Sequence, residues 1–131
     1  MRKRISSGSY FEPEIGFSRA VRVGNAISIS GTAPIAANGG TEGVGVYEQT
    51  RRCLKIIEEA LLESGATLND VVRTRVMLTD ISTWKEAARA HGEVFSEIRP
   101  ACTFVEVSRF IDPDWLVELE ADAVLDTLSQ P

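Results

Sequence analysis

Two strand-like stretches near the C-terminus constrain this chain more than any other feature. In the first, within residues 99–107, Thr103, Val105 and Val107 alternate with Cys102, Phe104 and Glu106. In the second, after an Asp112-Pro113-Asp114 turn, Val117, Leu119, Ala121, Ala123 and Leu125 alternate with Leu116, Glu118, Glu120, Asp122 and Val124. A period of two is the signature of a strand with one face on a core. The second strand therefore has one apolar and one acidic face. An acidic row must meet water, basic groups or a site, because an unpaired buried carboxylate is costly or simply protonates.

Upstream, the same reading gives a β-β-β-α-β-α-β-β order. Residues 2–5 form a short edge strand, and residues 6–13 form a turn-rich loop. The strand from Arg19 to Val23 turns at Gly24-Asn25 into Ala26–Ser30, which Gly31 closes ahead of Pro34. The stretch 36–43 is too Gly-rich for regular structure and lacks the order of a phosphate-binding loop. Val46, Thr50, Cys53, Leu54, Ile57, Ala60, Leu61 and Ser64 recur at helical spacing, and Gly65 ends that helix. Val72, Thr74, Val76 and Leu78 form one face of the next strand, with Arg73, Arg75 and Met77 on the other. Thr83 to Glu86 has the spacing of a capping box, followed by a stripe of Trp84, Ala87, Ala88, His91, Val94 and Phe95 that Pro100 prevents from continuing.

This is an α+β domain over residues 1–131, a mixed sheet with two helices on one face. The uncovered face carries Arg73, Arg75, Glu118, Glu120 and Asp122, charges that pair across the sheet, meet solvent or lie between subunits. A net charge of −5 argues against a nucleic-acid footprint. Two separated cysteines and a single histidine do not make a usual zinc set, so no metal or cofactor is expected. With no signal-peptide pattern and no long apolar run, the expected setting is cytoplasmic, with both thiols reduced and no membrane partner.

Ile15-Gly16, Gly24-Asn25, Ser30-Gly31, Pro34, residues 68–72, Pro100-Ala101, Val105-Glu106-Val107 and Glu118-Leu119-Glu120-Ala121 together resemble the Rid (reactive intermediate deaminase) family, also called YjgF or endoribonuclease L-PSP-like. The resemblance runs in order along nearly the whole chain. It implies a chorismate-mutase-like fold, a homotrimer with its sheets around a central barrel, and small-metabolite clefts between subunits. Deaminating members hydrolyse enamines and imines such as 2-aminoacrylate. It also implies that Glu118 positions or activates the attacking water and that Gly31 belongs to the binding turn.

At several positions the chain departs from the family pattern. Cys102 stands where the family has an arginine that forks onto the substrate carboxylate. Ser18 stands for a tyrosine on an ungapped reading, Phe104 for a cysteine, and Ala88 for an asparagine. A charged hydrogen bond contributes roughly 1.5–3 kcal/mol, so losing that arginine weakens 2-imino-acid binding roughly 10–150-fold. Position 102 thus points to a neutral or cationic ligand. Arg99 lies roughly 10 Å upstream along a strand, at about 3.3 Å per residue, and is a poor substitute.

Several functions are compatible with these residues. The first is C=N hydrolysis with water on Glu118; the second is metabolite binding without turnover. A Cys102 nucleophile served by His91 or Glu118, and the ribonuclease of the older family label, complete the set. Against Cys102 stands its reading as a small apolar filler beside Phe104, and against His91 its place on a packed stripe.

Overall fold

The computed structural model describes residues 1–9 and 11–126, so the last few residues of the single-domain reading lie outside it. The strands are β1 (Arg2–Ile5), β2 (Ala20–Val23), β3 (Ala26–Thr32), β4 (Val71–Leu78), β5 (Ala101–Glu106) and β6 (Val117–Val124). The helices are α1 (Val46–Glu63) and α2 (Trp84–Phe95). The element order is the one read from the sequence, with short helical turns at Glu12–Gly16, Leu68–Asp70 and Ile81–Thr83 added between elements.

All six strands join one sheet in the order β1-β2-β3-β6-β4-β5. Every neighbouring pair is antiparallel except β4 and β5, which α2 connects as a βαβ unit. Ala121, Leu119 and Val117 on β6, Val76 and Leu78 on β4, and Ile27 and Ile29 on β3 meet Cys53, Leu54, Ile57 and Leu61 of α1 in one buried core. That core lies on one side of the sheet. On the other side, Arg75 pairs with Glu120 at 3.0 Å and Arg73 with Asp122 at 3.7 Å, bringing the expected basic and acidic rows together. These side chains are more than a third exposed, so each pair contributes little to the stability of the isolated chain.

Three local readings need correction. Val72 is 47% exposed and Val71 is buried, because a register shift between Val71 and Arg73 breaks strict alternation at the start of β4. Thr83 makes no capping bond; Asp80 instead accepts from the Ser82 amide, and the complete capping box lies at Thr67 and Asp70. Trp84 is 45% exposed at the first turn of α2, its ring meeting Phe104 edge-to-face at 6.3 Å and the Lys85 ammonium at 5.9 Å rather than the core.

Buried Gln49 fixes where β6 begins. Its Nε2 donates to the carbonyls of Gly43 and Asp114, and its Oε1 accepts from the Leu116 amide at 2.8 Å. Gly43 has φ +99, and a Cβ there would lie 2.9 Å from the Gln49 nitrogen, so only glycine fits this approach. The first turn of α1 thereby anchors the loop that delivers Glu118.

Candidate functional site

Glu118 stands on the open face of β6, opposite Met77 of β4, and is half-buried. Burial raises its proton affinity above that of an ordinary carboxylate; Arg19 pulls it back down, and Glu120 pushes it up. On its other side β3 carries a register shift between Ile29 and Thr32. Gly31 sits in that irregularity, where an added Cβ would come within 3.0 Å of Glu118 Oε1. Glycine here leaves room for the carboxylate, so Gly31→Ala should displace the carboxylate tip and lower any Glu118-dependent activity. Its melting temperature should move little, because the carboxylate arm can swing aside; a kinetic assay beside a thermal melt checks both.

Arg19 completes this wall, and sequence reasoning missed it. It immediately precedes β2, and its amide donates to the Ile5 carbonyl while its own carbonyl accepts from the Ser30 amide. Its guanidinium Nη1 donates to the carbonyls of Ser30 (3.3 Å) and Gly31 (2.8 Å) and to Thr32 Oγ1 (2.9 Å). The Phe17 ring centroid is 5.8 Å from the guanidinium carbon. Ser18 lies half-buried beside Arg19. The available signal was slight: one arginine at the head of an apolar strand, indistinguishable in sequence from a solvated one.

The remaining candidates gather elsewhere. The parallel register pairs Cys102 with Thr74, and Phe104 with Val76. Thr74 and Val76 are buried beneath the helices, so Cys102 and Phe104 share the helix-side face of edge strand β5. Phe104 meets the ring of His91 at 6.4 Å as well as Trp84, while Ala88 is half-buried on the same helix. Cys102 is exposed. Within one chain this group and Glu118 therefore lie on opposite faces of the sheet.

His91 Nε2 is hydrogen-bonded to Thr74 Oγ1 at 2.8 Å, and its ring lies 4.7 Å from that of Phe95. Burial lowers its proton affinity, which favours the neutral ring. This arrangement fits a packed histidine, with Nε2 bonded to Thr74 and the ring against Phe95. Thr74→Val should remove that partner and destabilise the fold by about 1–3 kcal/mol, the cost of an unsatisfied buried polar group, readable by denaturant unfolding.

Arg99 takes a left-handed φ of 54° where α2 turns into β5, and its Nε donates to the Ser96 carbonyl at 3.0 Å. Its side chain thus folds back on the end of α2. Cys53 is fully buried with its Sγ 3.9 Å from the Val117 carbonyl, and burial drives its proton affinity well up, as a packed core thiol requires. Among the described residues no group of three or more His, Cys, Asp or Glu side chains is arranged to hold a metal, and no helix is long and apolar enough to cross a membrane.

The sequence model of the endoribonuclease L-PSP family matches residues 8–125. Among relatives, a RutC family protein of Pyrococcus abyssi is 41% identical over 82% of this chain and 84% of its own length. The 3-aminoacrylate deaminase RutC of Acinetobacter baylyi is 31% identical over 79% of this chain and 82% of its own length. Among solved structures, Rv2704 of Mycobacterium tuberculosis, described as a member of the YjgF/YER057c/UK114 family, superposes with a TM-score of 0.88 at 46% identity, covering 95% of this chain and 100% of that one. The order of strands and helices, the sheet with one helical face and these matches agree, and the chain belongs to the endoribonuclease L-PSP (YjgF, Rid) family.

Proposed function

We propose that this protein is a cytoplasmic homotrimer that hydrolyses a C=N bond, as an imine or its enamine tautomer, in clefts between subunits. The observation that carries the reading is Glu118: a half-buried carboxylate of raised proton affinity whose Oε1 would lie 3.0 Å from a Cβ at Gly31, so that glycine leaves the carboxylate its place. The two candidate groups lie on opposite faces of one sheet, so a single chain cannot offer both to one ligand. A neighbouring copy can, joining the Glu118, Gly31 and Ser18 wall of one subunit to the Cys102, Phe104 and Ala88 wall of the next. The Arg73, Arg75, Glu120 and Asp122 rows would then lie at the barrel between subunits, where a charged sheet face finds partners.

In this cleft Glu118 accepts a proton from a bound water as the water oxygen bonds to the C=N carbon. The π electrons move to nitrogen, which takes that proton back from Glu118; Glu118 then carries the carbinolamine hydroxyl proton to the amine as the C–N bond breaks, releasing ammonia and leaving a carbonyl product. The deaminase name of the Acinetobacter relative belongs to the same reaction class. Cys102 offers no guanidinium to a carboxylate next to the C=N carbon, which argues for substrates other than the simple 2-imino acids. On this reading Cys102 lines the cleft without acting as a nucleophile: Glu118 serves the water, and His91 spends its Nε2 on Thr74.

The test follows ammonia release and imine decay when the purified protein meets imines formed in situ, by an amino-acid oxidase for 2-imino acids and an amine oxidase for uncharged ones. Acceleration of uncharged imines that Glu118→Ala abolishes would support the reading. Saturable ligand binding with no acceleration of any imine would favour the metabolite-binding alternative, for which the substitution at Cys102 is the specific argument. Salt-sensitive RNA binding with cleavage would favour the ribonuclease instead.

A further inference from the structure

Arg19 is 8% exposed, and none of the ion pairs among the described residues includes it. A guanidinium keeps its charge at physiological pH, and a buried charge without a close counterion is costly. A chain that keeps such a group gains something from its bonds or its field.

The bonds lie along β3, where it faces β6. Between the pairs Ile29–Ala121 and Thr32–Leu119, β3 has two residues, Ser30 and Gly31, while β6 has only Glu120. This is a bulge, which leaves one residue out of the ladder. Arg19 spans it: Nη1 donates to the carbonyls of Ser30 and Gly31 and to Thr32 Oγ1, which itself donates to the Ser30 carbonyl at 2.8 Å. The Ser30 amide and hydroxyl both donate back to the Arg19 carbonyl. The bulge is thus held from both the main chain and the side chain of one residue. Its register matters to Glu118, because a one-residue slip of β3 would set Ser30 or Thr32, each with a Cβ, where Gly31 now leaves the carboxylate its place.

The field of Arg19 falls on the same carboxylate. Burial raises the proton affinity of Glu118 most; Arg19 opposes it, and Glu120 adds to it. Met77, its partner on β4, and Gly31, its contact on β3, carry no charge. Arg75 is paired with Glu120, and Cys53 of α1 keeps its proton through burial. Glu12, which acts on Arg19, takes its own hydrogen bonds from Ser7.

We propose that Arg19 is a positioning residue for the hydrolytic site: it pins the Ser30–Thr32 bulge in the register that keeps glycine against Glu118, and it holds a fixed cation near that carboxylate. It acts through the bulge and through its charge, without touching the substrate. This deepens the hydrolase reading and rests on it for what Glu118 does.

The test follows the side-chain carboxyl ¹³C resonance of Glu118 across pH in the full chain, assigned with Glu118→Gln, for the parent, Arg19→Gln and Arg19→Lys. Arg19→Gln should move the Glu118 midpoint up, because the cation favouring the carboxylate is gone, and Arg19→Lys should bring it back towards the parent. With an uncharged imine, kcat should fall up to roughly 100-fold in Arg19→Gln, the cost of a small misplacement, while KM changes less and the acid limb of the rate profile moves up. A residue that only supports the fold would lower the melting temperature and move neither midpoint nor limb. An unmoved midpoint in folded Arg19→Gln overturns the proposal, as does parent-like kcat in that variant. Should Arg19→Gln fail to fold, the parent decides: its Arg19 Nε–Hε resonance should shift through the Glu118 midpoint and lose that shift in Glu118→Gln, and a resonance indifferent to Glu118 overturns the proposal. The midpoint needs no turnover, so the positioning role and the hydrolytic reading can fail separately.

Discussion

Glu118→Gln should lower imine hydrolysis roughly 10²–10⁴-fold, the usual contribution of a positioned general base, while leaving the fold intact. Glutamine keeps the shape and one hydrogen-bonding oxygen but cannot take the water's proton. For the parent protein the pH dependence follows from the direction of the shift. Burial raises the Glu118 pKa, so the active carboxylate form disappears as pH falls through a value above the ordinary carboxylate range, and activity should rise across that limb. The stability effect has the opposite sign. A carboxyl whose folded pKa is raised contributes stability fully below its unfolded pKa and loses it as pH rises through the folded one. At neutral pH, Glu118→Gln should therefore melt no lower than the parent, and the difference between them should narrow or reverse in acid. Rate–pH profiles of kcat/KM beside melts across the same range check both signs; a variant that loses activity and unfolds at neutral pH would make Glu118 a structural residue.

How far the sequence could be read depended on which physical rule was at work. Period-two and period-3.6 patterns gave the strands and helices in order, because burial on one face leaves a direct imprint on residue type; the α1 stripe from Val46 to Ser64 is buried throughout. The same patterns placed Glu120 and Asp122 on the face of Arg75 and Arg73. They failed at Val71 and Val72, where a bulge changes parity without changing composition. Parity also gives alternation without direction, so the sequence put Cys102 and Phe104 on one face but could not say it was the face opposite Glu118. That required the parallel pairing of β5 with β4. Arg19 was out of reach for a related reason: its acceptors lie 11 to 13 residues away on the next strand, and nothing local to it announces burial.

Cys102→Arg is the complementary experiment, because it adds rather than removes chemistry. The residue is exposed on an edge strand, so the substitution should change stability by no more than about 0.5 kcal/mol. A guanidinium there can fork onto a carboxylate adjacent to C=N, and kcat/KM for 2-imino acids should rise roughly 10–150-fold, the converse of the charged hydrogen bonds lost with arginine. The gain should require Glu118 and vanish in the Cys102→Arg, Glu118→Gln double variant. Uncharged imines, which offer nothing to the new fork, should gain nothing. Arg99→Ala in the parent is the control: its side chain serves the Ser96 carbonyl, so 2-imino-acid turnover should stay where it was. Should the parent already turn over 2-imino acids rapidly and Cys102→Arg add nothing, a different group must hold the carboxylate. Should Cys102→Arg gain activity that survives Glu118→Gln, the carboxylate anchor would be real and the water would be activated by some other group. The two variants together thus separate what holds the substrate from what attacks it, a division that the opposite placement of Cys102 and Glu118 across the sheet makes experimentally clean.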